Sequence, residues 1–301
     1  MNKKILVTGG LGHIGSALIR QLPLKYDLTI VDNLSTQRYC SLFNIGRPFS
    51  FIEKNFAELT EEELDVHTVV HLGAKTDAAS SVSSPAETYY TNVVETKKLI
   101  DKIRKVNAKF IFPSSTSVYG TSSEEVFEDY DAYINPQSPY AESKIEVERY
   151  IQSNMDNYVI FRFGTIFGVN NSPGCRFHTA IQKFCYQAAF GKKLTIWKDC
   201  YEMSRPYLGL NDAVQAIMMA IENEVHYGDG VFNVLTDNFK LSHIVKTIEG
   251  CLSKELDIDF VDTPLLNQFS YKVNYDKVKK AGFEPYCDLK QEIEKTLELF
   301  S

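Results

Sequence analysis

The first 22 residues constrain the fold more than any other stretch of the chain. Lys3 to Val7 is a short apolar run rich in branched residues, which reads as a buried parallel strand. It runs directly into Gly9, Gly12 and Gly15, after which Ile14, Ala17, Leu18 and Leu22 fall at helical spacing. Strand, glycine turn and helix start together make a phosphate-binding element. Glycines let the backbone approach a pyrophosphate, and the helix amino terminus offers unpaired N–H groups and the positive end of its dipole. The spacing is Gly-x-x-Gly-x-x-Gly rather than Gly-x-Gly-x-x-Gly, so a plain tight turn is also compatible with it. The residues that follow decide between the two.

Leu28 to Val31 is the next strand and ends at Asp32. An acid about 20 residues beyond the glycine loop accepts hydrogen bonds from adenosine ribose hydroxyls and repels a 2′-phosphate, which favours NAD over NADP. Asp32 before Asn33 is also an ordinary turn former. Further strands are expected at Phe49–Ile52, Thr68–Leu72, Lys109–Phe112 and Tyr158–Arg162. Ser84-Pro85-Ala-Glu87 supplies an N-cap, a first-turn proline and a capping-box acid for a helix reaching Lys105. Ser138 and Pro139 open another. This alternation predicts an α/β doubly wound parallel sheet, a Rossmann domain, over 1–165.

Beyond Gly164 the pattern loosens. A loop is expected at Asn170–Gly174, with helices over Phe177–Phe190 and Asn211–Glu222. Val231–Val234 reads as a strand that rejoins the main sheet, and short helices follow near Tyr275–Ala281 and Leu289–Leu299. Residues 205–240 are therefore expected to return to the sheet. The rest of 166–301 should form a smaller carboxyl-terminal α/β substrate domain packed on it, since no repeat or linker is evident.

The chemistry is concentrated in Ser138-Pro-Tyr-Ala-Glu-Ser-Lys144 and in Ser114-Ser115 upstream. A tyrosine hydroxyl has an unperturbed pKa near 10, too high for a good base at neutral pH. A neighbouring cation stabilises the phenolate, and Lys144, one helical turn after Tyr140, projects from the same face. Lys144 in that geometry also reaches a nicotinamide ribose. Ser115 would bond the substrate hydroxyl, or the carbonyl it becomes, beside the tyrosine oxygen. Tyr140 then takes a proton while hydride leaves the same carbon for a nicotinamide. Without the glycine loop and Asp32, a packed tyrosine and a solvated lysine would be the simpler reading.

These residues resemble the extended short-chain dehydrogenase/reductase family, especially its NAD-dependent nucleotide-sugar epimerases and dehydratases, over nearly the whole chain. Thr8-Gly-Gly-Leu-Gly-His-Ile-Gly15 is similar to the family's glycine motif, and Val31-Asp-Asn-Leu-Ser35 to its ribose-binding turn. His71-Leu-Gly-Ala74 resembles the family's His-Leu-Ala-Ala, Tyr89-Tyr-Thr-Asn92 the helix bearing an active-site asparagine, and Ser114–Gly120 the segment with the catalytic serine. Lys280-Ala-Gly-Phe-Glu-Pro285 resembles the Leu-Gly-Trp-x-Pro ending of sugar-nucleotide members. The resemblance implies NAD held by Gly9, Gly12, His13, Ile14, Gly15, Asp32, Asn33 and Ser35. It also places Asn55, Phe56, Leu72, Gly73, Ala74 and Phe163 along the cofactor, with Tyr140 and Lys144. Catalysis would fall to Ser115, Tyr140, Lys144 and Asn92. A nucleotide-diphosphate sugar would meet Lys75, Ser115, Thr116, Thr165, Arg176 and Arg205, and Cys175 and His178 are candidates for extra proton donors.

Two departures bear on the substrate. Dehydratases carry Asp-Glu after the catalytic threonine and decarboxylating members a Glu in that segment, whereas this chain has Thr116-Ser117. The remaining toolkit is that of a 4-epimerase. The family's Arg-x-Phe-Asn-x-Tyr-Gly reads Arg162-Phe-Gly-Thr-Ile-Phe-Gly168, so its diphosphate asparagine is Thr165. Its Arg-Asp-Tyr-x-His-Val-x-Asp reads Arg205-Pro-Tyr-Leu-Gly-Leu-Asn-Asp212, in which Arg205 survives but its neighbours differ. A cofactor-exchanging dehydrogenase or ketoreductase, and a non-catalytic nicotinamide sensor, are the alternatives.

A net charge of −7 with no basic stripe argues against nucleic-acid binding. Six scattered cysteines without a Cys-x-x-Cys pair argue against a zinc site and fit a reducing compartment. No apolar run approaches membrane-spanning length, and the amino-terminal segment is not a signal peptide, so a cytoplasmic enzyme is expected. By resemblance it would be a homodimer paired through helices 85–105 and 140–154.

Overall fold

The computed structural model describes residues 2–120, 122, 125–169, 175–177, 179–222, 230–262 and 271–301. Seven strands form the main sheet: β1 (Lys3–Thr8), β2 (Tyr26–Asp32), β3 (Ser50–Glu53), β4 (Thr68–His71), β5 (Lys109–Ser115), β7 (Tyr158–Phe163) and β11 (Gly230–Val234). β6 (Glu125–Val126), β8 (Thr165–Phe167), β9 (Leu194–Trp197) and β10 (Ser204–Gly209) lie elsewhere. The main sheet has the order β11-β7-β5-β4-β1-β2-β3, and all its pairs are parallel. Because strands bury both faces in such a sheet, alternate residues serve separate cores. Ile5, Val7, Ile30, Val70 and Phe161 pack under α1 (His13–Gln21) and α7 (Leu210–Glu222). Leu6, Val31, Val69, Phe110 and Ile160 pack under α4 (Thr96–Val106) and α5 (Pro139–Asn154). The chain winds outward in both directions from the junction of β1 and β4, the switch point beyond whose carboxyl ends open α/β sheets bind ligands.

The doubly wound sheet and the return of β11 to its edge match the sequence expectation. The helix expected over 84–105 differs in detail. It consists of α3 (Pro85–Tyr89), a π-helical segment Tyr90–Glu95, and α4. The expected capping box is not formed: the Ser84 side chain makes no cap bond. Ser84 also closes a preceding helix, α2 (Ala78–Ser83), its N–H donating to the Ser80 carbonyl at 3.1 Å. Its backbone torsions serve that helix, and Glu87 pairs with Lys75 instead. Ser138 does cap α5, accepting from the Ala141 N–H at 3.2 Å ahead of Pro139.

In the second half, β10 joins β8 and β12 (Asp237–Lys240), and β9 joins β13 (Ile258–Val261). β6 pairs with β14 (Lys272–Val273). Helices α6 (Ala180–Ala189), Leu241–Leu252 and Leu289–Glu298 enclose a further core around Phe184, Ile244 and Ile293. The helix expected from Phe177 begins at Ala180. Asp212, fully buried, fastens the carboxyl-terminal segment by accepting from the Tyr286 and Cys287 N–H groups at 2.9 and 3.2 Å. The expected loop Asn170–Gly174 lies outside the described residues. No helix among the described residues is long and apolar enough to cross a membrane.

Candidate active site

The turns after β1 and β4 meet backbone to backbone. Gly9 has φ +64°, and a Cβ placed on it would lie 2.5 Å from the Gly73 nitrogen and 2.6 Å from the Leu72 carbonyl carbon. A Cβ on Gly15 would lie 2.5 Å from the Gly9 oxygen. Gly9 N–H donates to the Val31 carbonyl at 2.8 Å, which aims the loop across the sheet end. α1 then starts at His13 with Gly12 as an N-cap that offers no side-chain acceptor, leaving first-turn N–H groups for an anion. Ile14 packs beneath against the sheet core. Leu72, Gly73 and Ala74 are half-buried along the facing turn.

Asp32 ends β2 with its carboxylate turned toward this loop. One oxygen accepts from Leu11 N–H at 3.1 Å and the other from Leu34 N–H at 2.9 Å. Each carboxylate oxygen retains a further lone pair for a ribose hydroxyl. Asn33 accepts from Ser35 N–H at 3.1 Å, and both residues are exposed. Burial, Arg38 and Arg176 hold the His13 imidazole neutral, with its pKa lowered to about 4. Its Nε2 is buried and finds no hydrogen-bond partner among the described residues. A backbone cradle between two glycines, a bare helix start, an unmatched imidazole nitrogen and an acid at the second strand end together fit a dinucleotide.

Asn55 and Phe56 are occupied within the protein. Asn55 accepts from Ala57 N–H at 2.9 Å and donates to Glu95 at 2.6 Å. The Phe56 ring backs Gly73, with a centroid 4.6 Å from that of His71. Phe163 is buried at the end of β7, stacked on Phe161 at 5.7 Å and paired across the sheet with Ser115.

Ser115, Tyr140 and Lys144 converge at the carboxyl end of β5. Burial raises the Tyr140 phenol above its ordinary pKa, while a hydrogen bond from Ser115 and the charge of Arg176 pull it down. Ser115 Oγ also accepts from Ser117 N–H at 3.2 Å. Lys144 is buried, donates to the Pro113 carbonyl at 2.8 Å, and lies 5.9 Å from the Tyr140 ring centroid. Burial lowers its pKa to about 8, against the opposing charge of Glu148. Lys144 occupies the expected helical face, and Arg176 adds a second cation that sequence spacing does not place there.

Asn92, in the π-helical segment, is buried with its amide fully engaged. It accepts from Lys75 N–H at 2.8 Å and donates to the Lys75 carbonyl at 2.9 Å and to Ser143 Oγ at 3.1 Å. Ser143 donates in turn to the Tyr140 carbonyl at 2.7 Å. Asn92 therefore joins the β4 turn to the tyrosine helix. The Lys75 side chain pairs with Glu87.

The second half contributes polar groups above this floor. Arg176 donates to Thr76 Oγ1 and lies 3.9 Å from Asp77. Arg205, on β10, acts electrostatically on Tyr207 and Tyr271. Thr165 is exposed on β8. The Thr116 hydroxyl is buried and donates to the Phe163 carbonyl at 3.3 Å. Burial pushes the Cys175 thiol up to about 11, so it stays protonated. His178 lies outside the described residues. Tyr271, which no motif marks, donates to the Thr116 carbonyl at 3.4 Å and thus reaches the residue next to Ser115.

A glycine cradle at the switch point of a doubly wound sheet, with a serine, tyrosine and lysine beside it, defines a dinucleotide-dependent enzyme. The chain belongs to the NAD dependent epimerase/dehydratase family, whose model matches residues 5–234. It is 28% identical to the dTDP-D-glucose 4,6-dehydratase of Bos taurus, covering 99% of this chain and 88% of that protein. Among solved structures it resembles the UDP-N-acetylglucosamine 4-epimerase of Methanobrevibacter ruminantium M1, in complex with UDP-N-acetylmuramic acid. That pair has 26% identity and a TM-score of 0.86, covering 99% of this chain and 98% of that one. The UDP-glucose 4-epimerase of Thermotoga maritima, with UDP-glucose, is 27% identical with a TM-score of 0.83, covering 99% and 98%.

Proposed function

We propose that the protein epimerises a nucleotide-diphosphate sugar at C4 through a transient 4-keto sugar, with NAD retained between half-reactions. The observation that carries this reading is that, among the described residues, no free buried acid stands beside Ser115. Thr116 and Ser117 occupy the next positions. The buried carboxylates among the described residues have other partners: Glu95 holds Asn55, Glu128 holds Asn233, Glu148 holds Arg162, Asp212 holds Thr236 and Glu292 holds Lys295. Water loss or decarboxylation would call for such a group, and stereochemical inversion through a ketone does not.

NAD, when bound, supplies the hydride acceptor and later the donor. Ser115 holds the C4 hydroxyl, and Tyr140 takes its proton as the carbonyl forms. Lys144, protonated below its pKa of about 8, stabilises the phenolate electrostatically. After the sugar turns, Tyr140 returns the proton to the oxygen while the carbon is reduced from its other face. Arg176 and Arg205 neutralise the diphosphate from above, with Lys75, Thr116 and Thr165 around the sugar. Asn92 acts by holding the Lys75 turn against the tyrosine helix.

The sheet residues 1–165, joined by much of 205–240, would form the NAD-binding domain, and 166–301 mainly the substrate domain. Tyr89 and Tyr90, 47% and 52% exposed beside the α4–α5 surface, suit the pairing of two copies as a homodimer. A cytoplasmic location accords with six free cysteines.

The test is to incubate the purified protein, with no cofactor added, with UDP-, GDP-, CDP- and dTDP-sugars, and follow the sugar protons by NMR. The C4 epimer should grow to an equilibrium ratio. Turnover only with supplied NAD or NADH would identify a dehydrogenase or reductase, and a 4-keto-6-deoxy or decarboxylated product would overturn the reading.

A further inference from the structure

Behind the Ser115–Tyr140–Lys144 face lies a chain of buried charges that the proton and hydride transfers do not consume. Lys144 is 5% exposed, Glu148 0% and Arg162 3%. Lys144 and Glu148 are one turn apart on α5 and so project to the same side. The Glu148 carboxylate accepts the Ser114 hydroxyl. Arg162 grips it with Nη2 at 2.7 Å and with Nε at 3.1 and 3.2 Å from the two oxygens. Arg162 also donates to the Tyr119 hydroxyl at 2.9 Å, which donates to Asn233 at 2.7 Å. Asn233 donates to Glu128 at 3.0 Å through its side chain and 3.2 Å through its backbone. Burying ions is costly, and well-packed apolar residues often stabilise a fold as well or better. The geometry points to what this network does instead.

Ser114 sits between Pro113, whose carbonyl receives Lys144, and Ser115, which bonds Tyr140. One carboxylate thus fixes the strand end that orients both groups. Glu148 is also the carboxylate that acts on Lys144, opposing the effect of burial. The other groups facing that ammonium are Tyr140 on its own helix, the Phe112 ring 4.5 Å away on β5, His71 on β4 and, across Glu148, Arg162 on β7. Burial and the Lys144 charge hold His71 neutral, with its pKa lowered to about 3, so it supplies no counter-charge.

We propose that Glu148 is a positioning residue of the active site. It keeps Lys144 protonated and sets the Ser114–Ser115 strand end against Tyr140, with Arg162 holding the carboxylate in place. Its kinetic consequence rests on the proposed epimerase reading, but the ionisation of Lys144 can be read without substrate.

The experiment labels the NAD-loaded protein with 13C at lysine Cε, identifies the Lys144 resonance by its loss in Lys144→Met, and titrates it. Glu148→Gln should lower the midpoint by about one unit, and Glu148→Asp should restore most of it. Glu148→Gln leaves Arg162 without its carboxylate partner in the interior, so the charge-neutral E148Q/R162Q protein is titrated alongside, with a smaller fall expected. A folded E148Q/R162Q protein whose Lys144 titrates as in the wild type would overturn the electrostatic role. Ser114→Ala removes one hydrogen bond and no charge. With a sugar nucleotide that the wild type turns over, it should slow reduction of the bound NAD severalfold at every pH, leaving the Lys144 midpoint in place. An unchanged rate would overturn the positioning role. Failure of the wild type on every sugar nucleotide would sink the epimerase reading and leave the titration result standing.

Discussion

Replacing Gly9 with alanine tests the cradle most directly, because the structure fixes the size of the insult. The residue has φ +64°, a conformation that costs an L side chain roughly 1–2 kcal/mol. The new methyl would also stand 2.5 Å from the Gly73 nitrogen and 2.6 Å from the Leu72 carbonyl carbon. Both are backbone atoms, so no rotamer change relieves the clash. Ordinary contact at about 3.5 Å requires the turns after β1 and β4 to part by roughly 1 Å, and overpacking of this kind costs about 1–3 kcal/mol. The sum is about 2–5 kcal/mol, concentrated where first-turn N–H groups would meet the pyrophosphate. Gly12→Ala is the matched control for stability: its Cβ would meet only the Gly9 oxygen, at 3.2 Å, from an ordinary φ of −69°. Urea denaturation gives the stability difference, and chromatography of nucleotide released by acid gives the NAD content. Gly9→Ala should be less stable than Gly12→Ala and lose most of its NAD. A Gly9→Ala protein as stable as Gly12→Ala and as fully loaded with NAD as the wild type would refute the reasoning.

Tyr140→Phe should retain NAD and melting temperature while slowing reduction of the bound cofactor by roughly 10²–10⁴-fold; a rate within tenfold of wild type would remove Tyr140 from the chemistry. The depressed pKa of Lys144, about 8, means that the cation is present below that value and lost above it. Single-turnover rates should therefore fall on the alkaline side near pH 8, and a profile flat to pH 10 would contradict the role given to Lys144. Asn92→Ala leaves the half-buried Lys75 N–H and carbonyl without their side-chain partner. It should cost about 1–3 kcal/mol in denaturation and loosen the turn after β4, seen as faster amide exchange at Lys75.

Much of the cofactor half is legible from local pattern. The apolar runs ending at Asp32 and His71 are strands because a parallel sheet buries both faces, and Ser138-Pro139 starts a helix because cap and proline agree. Tyr140 and Lys144 share a face by helical spacing alone. What escapes a one-dimensional reading depends on partners distant in the chain. Arg176 reaches Thr76 across 100 positions and Tyr271 reaches Thr116 across 155, with no periodicity to announce either. The Ser84-Pro85-Ala-Glu87 pattern is a valid capping signal, yet Ser84 is already engaged in closing α2. β10 is harder still, since Pro206 inside a strand argues locally against one, and its pairing with β8 and β12 supplies the context. Helix Leu241–Leu252, by contrast, carries Ile244, Val245 and Ile248 at helical spacing.

The widened turn at Tyr90–Glu95 makes chain length, as distinct from side-chain chemistry, a functional variable. Each residue of an α-helix advances the face by about 100°, and a π turn absorbs one residue beyond the regular count. Removing a single residue there would restore a regular helix and rotate everything upstream relative to α4. Asn92 would leave the Lys75 turn, and the exposed Tyr89 and Tyr90 would swing to another side of the molecule in the same event. The inward-facing amide and the outward-facing aromatic surface are therefore geared together. Substitutions at Tyr89 or Tyr90 act on the outside, while a change in the number of residues between Pro85 and Thr96 acts on the inside as well.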